Sequence, residues 1–112
     1  MKVKLNVSER LYAAAIINQF KGDFSTLAFL LEDVKNLPIT EEEWKKAERK
    51  ISAPDDKGNT TWTWNDEKGG IKEVELLDET KKYLVSKIEE KSKNGELTLN
   101  DRAAITLKKK LE

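Results

Sequence analysis

Trp62 and Trp64 stand two apart in the run Thr60-Thr61-Trp62-Thr63-Trp64, with Lys68 and Lys72 a few residues beyond. Aromatic faces beside cations can stack nucleic-acid bases or anchor a protein interface. Base stacking needs a cationic groove, and here Lys57, Lys68 and Lys72 are outnumbered by nearby acids that include Asp66, Glu67, Glu73 and Glu75. Trp62, Trp64, Lys68 and Lys72 are therefore read as a candidate surface for a protein partner. The ordinary alternative is that one or both rings cover the core of a small sheet.

Catalytic groups are scarce. The chain has no His and no Cys, which removes the usual general base, the thiol nucleophile and the commonest metal ligands. Carboxylates remain, but nearly every acid has a base close in sequence, as in Glu89-Glu90-Lys91 and Asp101-Arg102. That is the pattern of solvated, ion-paired helix faces, so no catalytic residue, metal or cofactor is assigned. Asp55, Asp56 and Asn59 lie in a glycine-containing loop without the ordered ladder of a calcium loop, and turn chemistry accounts for them. Lys108, Lys109 and Lys110 would join Lys87, Lys91 and Lys93 in a basic patch if the last two helices pack antiparallel. Glu89, Glu90 and Glu96 dilute that patch to a solvated face.

The elements that must position these residues form one domain, residues 1–112, because 112 residues make a single ordinary core. Charged residues are 38% of the chain and sum to zero net charge, so no overall field draws it to nucleic acid or an anionic membrane. Residues 2–7 alternate as a half-buried strand. A helix follows from Ser8, the candidate cap, to Phe20. Asp23 caps a second helix with Leu27, Leu30, Leu31 and Val34 at helical spacing, and Pro38 lies beyond its end. Thr40 and Glu43 form a capping box, Ile39 and Trp44 a hydrophobic staple, and together they start a third helix burying Trp44, Ala47 and Ile51.

After the turn-rich stretch 54–59, residues 60–76 read as a β-hairpin, with residues 2–7 as a candidate third strand. Asp78 starts a fourth helix that Asn94-Gly95 ends, and Thr98 with Asp101 opens a fifth. The expected class is α+β: about five helices and a small antiparallel sheet. The expected core is Leu11, Ala15, Ile16, Phe20, Leu27, Leu31, Val34, Trp44, Val74, Leu84, Ile88 and Leu107.

Three helices followed by a hairpin also match the order of a winged helix, with residues 40–50 as the reading helix and residues 60–76 as the wing. Chemistry opposes that order, since the reading helix would present Glu41, Glu42 and Glu43 to phosphate. Residues 40–76 carry ten acids against seven bases. A winged-helix-like nucleic-acid-binding regulator is thus the alternative to a non-catalytic protein-interaction module, an adaptor or inhibitor.

The segments Leu5-Asn6-Val7-Ser8-Glu9-Arg10-Leu11, Phe24-Ser25-Thr26-Leu27 and Ile39-Thr40-Glu41-Glu42-Glu43 resemble short uncharacterised proteins encoded in bacteriophage and prophage genomes. The resemblance covers about the first 45 residues and implies an intracellular accessory protein of phage or mobile-element origin, with no site residue carried over. A cytoplasmic location without a membrane partner is expected, because no apolar run approaches the ~20 residues that span a bilayer.

Overall fold

In the computed structural model, which describes residues 2–112, strand β1 (Lys2–Leu5) buries Val3 and Leu5 and exposes Lys2 and Lys4. The alternating pattern runs on to Val7, yet the strand stops. The Asn6 side chain accepts from the Glu9 N–H at 2.8 Å while Glu9 Oε1 accepts from the Asn6 N–H at 2.9 Å. This capping box starts α1 (Val7–Asn18) with Asn6, not Ser8, as the cap. Asp23 caps α2 (Phe24–Val34) as expected, accepting from the Thr26 N–H at 2.8 Å.

The buried face of α2 differs from the expected one. Phe24, Leu27, Ala28 and Leu31 form one stripe at helical spacing; Leu30, Asp33, Val34 and Leu37 form a second with the same spacing. The second faces inward. Leu30 and Leu37 are buried, whereas Leu27 and Leu31 are exposed. Asp33 decides the rotation: its carboxylate is buried and accepts the Leu77 N–H at 2.8 Å, while Asn36 Nδ2 donates to the Glu75 carbonyl at 3.1 Å. Among the other expected core residues, Ile16, Trp44, Val74, Leu84, Ile88 and Leu107 are buried, Leu11, Phe20 and Val34 are half-buried, and Ala15 is exposed.

Thr40 and Glu43 make the expected capping box at the start of α3 (Glu41–Lys46), and Ile39 packs on the cluster that holds Trp44. The helix ends sooner than the sequence suggests. Glu48 turns left-handed at φ 55, with the Glu48 N–H donating to the Lys45 carbonyl and the Arg49 N–H to the Trp44 carbonyl, a Schellman closure without a glycine. Ile51 therefore leaves the helix and is exposed in β2 (Lys50–Ile51).

The fold class is α+β, with six α-helices among the described residues, but the strands pair differently from a 60–76 hairpin. β3 (Trp62–Thr63) pairs antiparallel with β2, Ile51 facing Trp62, while β4 (Lys72–Glu75) pairs antiparallel with β1, Val3 facing Val74. The intervening residues coil instead of turning tightly. The Asn65 side chain accepts the Lys68 N–H at 3.1 Å and caps the single turn α4 (Asp66–Gly69). A Cβ at Gly69 would lie 3.0 Å from both Ala47 Cβ and Val7 Cγ2. Glycine there lets α4 close onto α1 and α3. The loop between β2 and β3 is held by Asp55 Oδ1, which accepts from the Lys57 and Asn59 N–H groups.

α5 (Asp78–Lys93) starts one residue after Leu77 and ends in a Schellman motif with Gly95 at φ 69; Asp78 is its first residue and makes no side-chain cap bond. A short 3₁₀ turn at Leu99–Asp101 leads into α6 (Arg102–Leu111), which buries Ala104, Leu107 and Leu111 as expected. α1, α2, α5 and α6 pack together on β1 and β4 around Leu5, Ile16, Leu30, Val74, Leu76 and Leu84. Val7, Trp44 and Ala47 make a smaller second cluster. No helix of the described residues is long and apolar enough to cross a membrane.

Candidate functional site

The three tryptophans gather at the second cluster. Trp44, buried on α3, meets Trp62 edge-on at 5.8 Å between ring centroids and Trp64 at 5.5 Å. Alternation along the chain puts Trp62 and Trp64 on one side, so both reach Trp44. The early end of α3 brings Arg49 back beneath them. Its guanidinium lies 5.2 Å from the Trp44 centroid and 4.8 Å from that of Trp62, and it pairs with Glu41 at 3.5 Å.

Trp64 is half-buried and locked by a polar clasp. Its Nε1–H is shared between Ser8 Oγ at 3.1 Å and Asp66 Oδ1 at 3.0 Å, the Ser8 hydroxyl donates to Asp66 Oδ2 at 2.7 Å, and the Ser8 N–H donates to Asp66 Oδ1 at 3.0 Å. Asp66 thus sits at the positive end of α1 and accepts three hydrogen bonds. The Ser8 hydroxyl proton points to a carboxylate that also accepts from two N–H groups.

Trp62 remains 48% exposed. Its free surface opens onto a cleft of about 770 Å³ between α1, α6 and the β3 segment, whose walls include Leu11, Tyr12, Trp64, Arg102 and Thr106. The Tyr12 hydroxyl is buried without a hydrogen bond of ordinary geometry. Burial, with the nearby Asp101 charge adding to it, pushes its pKa up to about 12. It stays a neutral donor at any physiological pH. Asp101 is held below the usual carboxylate range, first by the Thr98 backbone N–H at 2.9 Å. Arg102, exposed at the start of α6, has no partner among the described residues.

The four residues singled out in the sequence are thus divided. Trp62 and Trp64 share the cleft. Lys68 lies on α4, its ammonium 2.8 Å from Glu48, and Lys72 lies on β4 beside a separate hollow that includes Lys35 and Thr40. Trp62 and Trp64 do not share a face with Val74 and Leu76, which belong to the main core. Leu11, expected in the core, also borders the cleft, while Tyr12, Arg102 and Thr106 carry no local mark of the site, because they reach the tryptophans only across separations of about 40 to 50 residues.

The buried charges serve the fold. Arg10, 1% exposed, donates to both carboxylate oxygens of Glu43 and to the Pro38 carbonyl. Buried Glu9 Oε1 accepts from Lys110 Nζ at 2.7 Å as well as from the Asn6 N–H. Lys108 pairs with Glu89 and Glu112, so two lysines of the C-terminal run are engaged with acids. Compared with protein-family models, curated proteins and solved structures, the chain shows no match to any of them.

Proposed function

We propose that the chain is a non-catalytic, cytoplasmic accessory module, an adaptor or inhibitor that docks a partner protein through the cleft bordered by Trp62. The observation carrying this reading is the state of that ring: half exposed in front, and held from behind by Arg49 and the edge of Trp44. A large aromatic group fixed before binding loses little freedom on association, and such residues dominate interface energetics. Engagement of Glu9, Asp33, Glu43 and Asp66 in structural bonds supports a non-catalytic role. Glu41 and Glu42 at the exposed start of α3 argue against docking on phosphate.

The test is affinity capture from the cells that encode the chain, with and without nuclease, using wild type and Trp62→Ala. A nuclease-resistant partner held by the wild type and lost with Trp62→Ala, at unchanged circular dichroism, is expected. Capture that depends on nucleic acid, or that Trp62→Ala leaves intact, overturns the assignment.

A further inference from the structure

The charges around the cleft are not equally spent. Asp66 accepts three hydrogen bonds from Ser8 and Trp64, and Asp101 accepts from the N–H and hydroxyl of Thr98. Arg102 on the α6 wall has no partner among the described residues, whereas the Tyr12 hydroxyl between the walls lies beside the Asp101 carboxylate. The opposite wall carries Leu11 and the two tryptophans, with Asn6, Ser8 and Asp66 beside them. A guanidinium forms its strongest hydrogen bonds with a carboxylate or phosphate. An occupant that satisfies both walls therefore carries an apolar or aromatic body and one anionic group beside it.

Resting on the protein-docking reading above, we infer that the cleft receives a short extended segment of the partner in which an aromatic residue neighbours an Asp or Glu. The aromatic ring lies on the open face of Trp62 and the carboxylate meets Arg102. The volume of about 770 Å³ is in the range of pockets that hold small ligands. Single-stranded nucleic acid would also place a ring on Trp62. It needs several cations to follow its backbone, and Arg102 is the only cationic residue lining the cleft among the described residues.

The probe is an acetylated, amidated pentapeptide with a Phe-Asp centre, titrated into the full chain while the three indole N–H resonances are followed. Its Phe-Asn counterpart and a five-nucleotide oligothymidine serve as comparisons. The Phe-Asp peptide is expected to move one indole resonance, that of Trp62, with a dissociation constant on the order of 10⁻⁴ M. The Phe-Asn peptide is expected to bind at least about fivefold more weakly. Arg102→Gln, at a position without a partner among the described residues, should erase that difference while leaving Phe-Asn binding unchanged.

Equal affinity for the two peptides, a difference that survives Arg102→Gln, no response at about 5 mM peptide, or tighter binding of the oligonucleotide each overturns the inference. If Trp62-dependent protein capture persists alongside any of these failures, the docking role stands and only the chemistry of the occupant is wrong. If that capture is also absent, both readings fall.

Discussion

Glu43→Gln tests whether one buried ion pair gives this fold its acid sensitivity. Hydrogen bonds from Arg10 hold the Glu43 carboxyl at about 2, below its usual 4.5, against the opposing effect of burial and with help from the Thr40 N–H. At about 1.36 kcal/mol per pH unit, that displacement corresponds to roughly 3 kcal/mol. The Glu43 side chain keeps 20% exposure, so solvent screening reduces the figure to about 2 kcal/mol. Because the folded-state value lies below the unfolded one, this stability is fully present above pH 4.5 and is lost as the pH falls toward about 2.

Removing the carboxylate also leaves Arg10 buried with its charge unpaired, which carries its own penalty. At pH 7, Glu43→Gln should therefore cost about 2 to 4 kcal/mol, measured by urea unfolding followed through tryptophan fluorescence. The gap to wild type should shrink by more than half at about pH 3. A gap that stays constant from pH 7 to about pH 3, or one under about 0.5 kcal/mol throughout, would refute the account.

The two stripes of α2 predict opposite outcomes: Leu30→Ala, at 1% exposure, should cost about 2 to 5 kcal/mol, while Leu31→Ala, at 52%, should stay within about 0.5 kcal/mol by the same unfolding assay. Glu48→Gly should raise stability by up to about 1 kcal/mol by relieving the left-handed backbone that ends α3, less a small loss from the exposed Lys68 pair. An unchanged or lower midpoint would contradict that balance. Asp33→Leu should cost about 1 to 3 kcal/mol even though it completes an apolar stripe, because the Leu77 N–H loses its acceptor; Asp33→Asn, which can still accept, should cost less. Hydrogen exchange at Leu77 should rise with the Leu substitution, and an unaffected amide there would argue against the role given to Asp33.

What could be read locally was determined by local physics. A cap needs only its own turn, so Asp23, Thr40 with Glu43, and Asn94-Gly95 announced helix ends from three or four neighbouring residues. The alternation of Val3 and Leu5 marked a strand, and the spacing of Ala104, Leu107 and Leu111 marked the buried side of the last helix, because in each case one stripe alone was apolar. The order of helices and strands placed the chain in the α+β class, and composition marked it as small and rich in charge.

Tertiary structure settled every case in which two local solutions were equally good. α2 carries two apolar stripes, and one distant hydrogen bond from the Leu77 N–H to the Asp33 carboxylate chose between them. At the start of α1 the local box of Asn6 with Glu9 set the cap, and what tertiary packing added was to draw Ser8 to Asp66 across 58 positions. Trp62 could pair forward or backward. The helical turn at Asp66–Gly69 sent β4 to β1 and left β3 to β2, since a two-residue strand has no register strong enough to decide for itself. The cleft follows from those choices. Trp62, Tyr12 and Arg102 line one cleft only after long-range packing has brought α1, α6 and β3 together, and no spacing along the chain encodes an encounter between residues so far apart.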